Sequence, residues 1–333
     1  MQMNKKIITI GEVMMRLSSP EHQRFLQSET FEIVFGGAEA NVAVSLAQWD
    51  IEAYHLTAFP DHDLGRAAMH YLRKVGVNTD LIYFGSGRLG LYFLENGAMQ
   101  RPSKIIYDRF GSAFSEFEGK DLDWNQIFDG VDCFHWSGIT PALSQKAADM
   151  LLEALKAAEK QGVLVTGDIN YRRNLWQYGK NPLEIMPELI RYTHVIVAGL
   201  ADFENCMDIT ESEYEDACVQ AQKDFPQIKY ITTTDRKSIS ATHNQLEAWL
   251  WNGKALLRSK NYEMTDIVDR IGGGDAYMAG LIYGLLHLPD QDALEFATAA
   301  SVLKHSIPGD ANLVSKDEVL ALMKGENLGR LLR

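Results

Sequence analysis

Two stretches of this sequence hold residues whose types and order can do chemistry. The later one is Asp269-Arg270-Ile271-Gly272-Gly273-Gly274-Asp275, followed at once by a helix-like run ending near Leu288. Three consecutive glycines let the backbone adopt positive φ and bring bare N–H groups close to a ligand. A helix starting behind them aims unpaired donors and its positive dipole end into the same gap. The product is an anion site with Asp275 at its mouth. That carboxylate either caps the helix or takes a proton from a hydroxyl group, and beside a helix N-terminus it is expected to stay ionised at neutral pH. The earlier stretch is Phe35-Gly36-Gly37-Ala38-Glu39-Ala40-Asn41, a second glycine turn with a polar Asn41 one turn into the helix-like run behind it.

The elements that must position these groups read as alternating strands and helices. Residues 6–13, 53–59, 131–136, 163–168, 195–198 and 230–234 are short apolar strands of the kind buried in a parallel sheet. Helix-like runs separate them, with Asp63 expected to cap the run Leu64–Val75 and Ser144 the run Gln145–Gln161. In open parallel sheets ligands bind beyond the carboxyl ends of the strands. Four polar clusters fall at such ends: Gly36–Asn41, Asn170–Arg173, the loop Thr234–Lys237, and Gly272–Asp275. Residues 14–32 read as irregular. Residues 82–115 break the rhythm, with strands Leu91–Glu95 and Ile105–Arg109 around an Asn96-Gly97 turn. A β-rich insertion of this kind should sit outside the main sheet. Tyr107 and Arg109, two apart on a strand, share a face. With Tyr92 and Arg172 they suit a ligand bearing hydroxyls and a carboxylate, or they form a solvated edge strand.

Composition narrows the function. A formal charge of −13 argues against nucleic acid or an anionic membrane as partner, and 46% hydrophobic residues suit a globular protein with a full core. No apolar run is long enough for a membrane helix, and no signal-peptide pattern precedes the first strand. Cys133, Cys206 and Cys218 have no metal-type spacing and fit a reducing cytoplasm. His135, His194 and His305 read as packing, as do Trp49, Trp136 and Trp176. The tail Lys324–Arg333 reads as a basic helix end.

The two glycine motifs, more than two hundred positions apart, together resemble the signatures of the ribokinase-like (PfkB) sugar kinases, and the resemblance runs over nearly the whole chain. It implies one α/β domain over residues 1–333, a three-layer α/β/α sandwich with a mostly parallel central sheet. A small β-sheet lid, formed by about 14–34 and 82–115, would cover the sugar and pair two subunits. It makes Asp275 the catalytic base and Gly272, Gly273 and Gly274 the anion hole, with ATP and Mg²⁺ as cofactors and no protein metal-ligand set. Tyr92, Tyr107, Arg109 and the Asn170-Tyr171-Arg172 run resemble the sugar-acid positions of 2-keto-3-deoxygluconate kinases. By the same resemblance Gly37, Asn41 and Asp310 contact the sugar. Asn170, Thr234, Asp235, Arg236, Lys237 and Ser238 then serve the nucleotide. The implied reaction is ATP-dependent phosphorylation of a sugar acid, by a homo-oligomer that needs neither nucleic acid nor membrane. The alternatives are a kinase of the same fold for fructose, ribose or another neutral sugar, and a non-catalytic sugar or nucleotide sensor.

There are departures from that pattern. Arg270 stands where Thr is usual and either adds charge near the phosphates or faces solvent. Gly273 replaces Ala. Gly199-Leu200-Ala201-Asp202 replaces an Asn-x-x-Glu that helps place Mg²⁺, and Thr234–Lys237 lacks the usual glycines. No Walker-type phosphate loop is present, and the glycine fingerprint of a dinucleotide oxidoreductase is missing after the first strand.

Overall fold

A computed structural model describes residues 5–326. The chain is organised around a ten-stranded main sheet. Its parallel centre is built from β1 (Lys6–Ile10), with two strands on one side, β4 (Glu52–Pro60) and β5 (Ile82–Gly85). On the other side lie β8 (Cys133–Ser137), β9 (Leu164–Asp168), β10 (Val195–Val197) and β11 (Tyr230–Ser238). Beyond β11 the sheet turns antiparallel through β12 (Asn244–Trp251), which pairs with β13 (Leu256–Arg258) and β14 (Tyr262–Met264). The central strands β1, β8 and β9 are largely buried, their few polar side chains such as Thr9, His135 and Thr166 included, because helices cover both faces. Ile8 and Ile10 join Phe134, Trp136 and Leu151 in one core, while Ile7 and Cys133 join Val42 and Leu46 in the other.

A separate four-stranded sheet has the order β3 (Glu32–Gly36), β2 (Met14–Ser18), β6 (Leu91–Glu95), β7 (Lys104–Asp108). Its central pair, β2 and β6, is parallel and the flanking pairs are antiparallel. This is the ribokinase-like arrangement expected of the sequence.

Several local expectations are corrected. Met14–Ser18 is a strand, not irregular chain; its continuous run of large side chains is buried by β3 and β6 on its two edges and by the main layer beneath. Residues 82–85 belong to the main sheet, parallel to β4, so the small sheet takes only the later part of that insertion. Asn96-Gly97 opens a connection of several residues rather than a two-residue hairpin, and β7 ends at Asp108. Asp63 is the first residue of the helix Asp63–Lys74 and makes no capping bond; His62 holds the cap position. Ser144 does cap, accepting from the Ala147 amide. Thr234–Lys237 is no loop: it lies within β11 and pairs with β12 from Ala248 to Gln245. At the C-terminus Lys324 closes the helix Lys316–Met323, and residues 327–333 lie outside the described residues.

Candidate active site

The parallel strands end on a cleft of about 770 Å³ that also receives the small sheet. The helix Gly273–His287 starts there. Gly272, with φ +83°, makes the turn before it, and a Cβ at that position would lie 1.9 Å from the Asp310 carbonyl oxygen. Only glycine fits. No hydrogen-bond partner for the backbone amides of Gly272, Gly273, Gly274 and Asp275 is found among the described residues. Four donors at a helix start, beside a cleft, are a ready anion site.

The helix Ala38–Gln48 approaches from the other side. Gly37 allows this, because a Cβ there would lie 2.0 Å from the Glu12 carbonyl oxygen. Asn41 then donates through Nδ2 to Asp275 Oδ2 at 2.7 Å, joining residues 234 positions apart. The two glycine motifs are therefore one site.

Asp275 differs from expectation in its ionisation. Burial pushes its carboxyl up to about 7, with Asp310 and Glu39 adding in the same direction, while the Asn41 bond pulls it down. The helix N-terminus does not keep it in the ordinary carboxylate range, because loss of water outweighs the dipole. A base titrating near neutrality is well matched to removing a hydroxyl proton. Asn41→Ala is expected to shift the acid limb of the pH–rate profile upward, since it removes the bond that lowers the Asp275 pKa. A limb that stays in place would assign Asn41 to packing alone.

The small sheet supplies Tyr92, Tyr107 and Arg109. Tyr92 is buried and its hydroxyl donates to Asp310 Oδ2. Tyr107, opposite Tyr92 in the strand register, is half exposed over the cleft. Arg109 is buried just past the end of β7, its Nε donating to Glu12 Oε2 at 2.7 Å. Arg172 is exposed on the rim, follows Asn170 in a left-handed turn at φ +41°, and has no ion-pair partner among the described residues. From β11 the cleft takes Thr234 and Arg236; Asp235, Lys237 and Ser238 are not part of its lining. Thr233 lines it as well, so the strand meets the cleft with two successive residues and then Arg236.

The departures now have physical accounts. Arg270 lines the cleft beside the glycine turn rather than simply facing solvent. Its Nε donates to the Ala241 carbonyl at 2.9 Å and its Nη2 to Asn244 Oδ1 at 3.0 Å, so it ties the glycine turn to the β11–β12 connection. Gly273 is glycine because the His305 imidazole lies where a Cβ would stand, 2.5 Å from its Cε1. His305 is buried, as its reading as a packing residue expects, and it also lines the cleft. Its Nδ1 donates to the Ser301 carbonyl at 2.7 Å, and burial lowers its pKa to about 4, so it is neutral at pH 7. Asp202 accepts from the Gly199 and Tyr171 amides, both at 2.8 Å, and so positions the Asn170–Arg172 turn. Asp168 faces the same space; burial first, then Asp202 and Asp275, raise its pKa to about 8. His135 and His194 are packing residues as expected, bonded to Thr166 and to the Val165 amide.

Four more charged residues of the site went unread in the sequence: Glu12, Arg16, Glu39 and Lys304. Arg16 donates to Asp269 at 2.7 Å and to Asp310 at 2.8 Å. The available signal was a charge inside an otherwise apolar strand or helix, which says that a partner exists but not where.

Comparison with known proteins settles the family. Residues 4–317 match the pfkB family carbohydrate kinase. The chain belongs to the PfkB carbohydrate kinases. A relative, 2-dehydro-3-deoxygalactonokinase of Haloferax volcanii, is 30% identical over 98% of this chain and 99% of its own. The crystal structure of 2-dehydro-3-deoxygluconokinase from Thermotoga maritima superposes with TM-score 0.92 at 42% identity, covering 97% of this chain and 100% of that one. A putative 2-keto-3-deoxygluconate kinase from Enterococcus faecalis superposes with TM-score 0.90 at 28% identity, covering 99% of both chains. For a PfkB kinase the cleft offers a carboxyl titrating near neutrality beside open amides at a helix start.

Proposed function

We propose that this kinase transfers the γ-phosphoryl group of ATP to a hydroxyl of a sugar acid, 2-keto-3-deoxygluconate being the favoured substrate. One observation carries the reading: Asp275, bonded to Asn41 and titrating near neutrality, stands beside four unpartnered amides. Asp275 takes the hydroxyl proton. The amides of Gly272, Gly273 and Gly274 hold the phosphoryl oxygens, and Thr234 and Arg236 face the nucleotide. ATP with Mg²⁺ supplies an activated phosphoryl group. The open amides fit its phosphates, and no cluster of three or more His, Cys, Asp or Glu among the described residues holds a metal alone, so the ion would enter with the nucleotide.

The sugar acid is supported by Tyr92, Tyr107, Arg109 and Arg172 around the same cleft, with Gly37, Asn41 and Asp310 below. Arg109 offers its Nη1 group, since Glu12 takes the Nε and Nη2 side. Arg172 brings a second cation that lacks an ion-pair partner among the described residues. These local charges answer the net −13 of the chain. A kinase for a neutral sugar is the second reading, favoured by the Glu12–Arg109 pair, which cancels part of the charge a carboxylate needs. Arg109→Ala separates the two. It is expected to raise KM for the sugar acid about 30-fold or more, the scale of a lost charge-assisted pair, and to change KM for a neutral sugar little. Equal effects would favour the neutral-sugar kinase.

The direct test is coupled ADP release over both 2-keto-3-deoxy epimers, fructose and ribose, with ATP and Mg²⁺. Turnover confined to the sugar acids supports the reading; turnover of fructose or ribose alone replaces it, and none at all points to a sensor. Pairing of two copies through the small sheet is supported by the apolar side chains it exposes, among them Ile33 and Ile106. Three free, buried cysteines and the need for ATP support a place in the cytoplasm.

A further inference from the structure

Beneath the cleft lies a charged network that joins Asp269, at the head of the later glycine motif, to residues outside both motifs. Arg16, on β2 of the small sheet, is about 3% exposed, and so are the groups it meets. Its Nη1 donates to Asp310 Oδ1 at 2.8 Å, its Nη2 to Asp269 Oδ2 at 2.7 Å and its Nε to Ser18 Oγ at 2.6 Å. Asp310 takes the Tyr92 hydroxyl on its other oxygen. Asp269 takes the Ile271 amide on Oδ1 and the Gly309 amide on Oδ2, both at 3.0 Å. Ile271 enters the glycine turn directly, and the Asp310 carbonyl oxygen is what excludes a side chain at Gly272. Lys304, wholly buried alongside with Nζ on the Ile307 carbonyl at 3.0 Å, balances the second carboxylate.

We propose that Arg16 is a positioning residue for both halves of the site: on the sugar side it fixes Asp310 and Tyr92, and through Asp269 it fixes the turn Ile271–Gly274 that receives phosphate. The planar fork is what allows this. One guanidinium bonds two carboxylates from different loops in a fixed geometry, which an ammonium does not reproduce. Arg16 touches neither the amides nor Asp275. Its hydrogen-bonded route to the turn runs through Asp269, which takes the Ile271 amide.

The inference rests on the proposed seating of nucleotide phosphate at the glycine turn, and ADP binding by calorimetry tests it without any sugar. Arg16→Met is expected to weaken ADP binding about tenfold, and Arg16→Lys by a smaller factor because charge is kept and the fork lost. Asp269→Asn should weaken ADP similarly, and the double variant Arg16→Met/Asp269→Asn no more than about twofold beyond Asp269→Asn alone, as one chain of contacts demands. A general loss of packing would make the two effects add. Melting curves identify the folded variants; should the Met variant not fold, Arg16→Lys with Asp269→Asn carries the same comparison. ADP affinity within twofold of wild type in a folded Arg16 variant overturns the proposal, as does additivity. A wild-type protein that binds ADP but phosphorylates none of the sugars overturns the proposed substrate, and Arg16 is still judged by its own titration.

Discussion

Asp275→Asn is expected to lower kcat by about 10³-fold, within the range that a positioned base contributes, while leaving ADP binding measurable. A variant keeping more than about a tenth of wild-type turnover would remove Asp275 from the base role. The wild-type rate should rise with pH through about 7 as this carboxyl ionises. Stability should run the other way. The folded-state pKa lies above that of an unfolded aspartate, so the folded chain binds more protons between about 4 and 7. Stability is full below the unfolded pKa and is lost as pH rises through the folded one. Asp168, raised to about 8, acts in the same direction. The buried His55, His135 and His305, held well below the usual imidazole range, act the opposite way and gain stability as pH rises through about 6.5. The carboxyl's share is therefore read as a difference: Asp275→Asn should move the change in melting temperature from pH 5.5 to pH 8 upward relative to wild type. A pH dependence left unchanged by Asp275→Asn would contradict the burial argument for this carboxyl.

The second large effect belongs to a backbone position. Gly272→Ala places a Cβ 1.9 Å from the Asp310 carbonyl oxygen and forces a side chain into φ +83°. Positive φ alone costs about 1–3 kcal/mol, and the clash must also move either the turn or Asp310. Activity is expected to fall at least about a hundredfold, because shifting the amides by an ångström removes their aim at the phosphate. Gly274→Ala is the informative neighbour. A Cβ there meets nothing within 4 Å, so its melting temperature should match or exceed wild type. Thermal melts with ADP-release assays on both variants check the contrast. Equal destabilisation would mean that the turn, rather than the contact with Asp310, sets the requirement.

What could be read in advance follows from how far each interaction reaches along the chain. Gly36–Asn41 and Gly272–Asp275 are legible because turn, helix start and polar group are consecutive, and the β–α alternation is legible because buried strands are short apolar runs. Arg16 and Glu12 are not. Their meaning lies in partners 294 and 97 positions away, and nothing local says which. The ionisation of Asp275 was misjudged for a related reason: the dipole is a local property of sequence, whereas burial depends on Asp310 and Glu39 arriving from opposite ends of the chain. Arg270 and His305 show the limit of matching a motif residue by residue. Arg270 is occupied by the carbonyl of Ala241, and Gly273 is small because His305 is large.

The union of Asn41 with Asp275 over a floor set by Asp310 has a consequence for synthesis. A ribosome has made the chain as far as Asp310 before the proposed site can close. A chain stopped before Asp310 lacks the floor of the glycine turn and, on the proposed reading, should not phosphorylate a sugar.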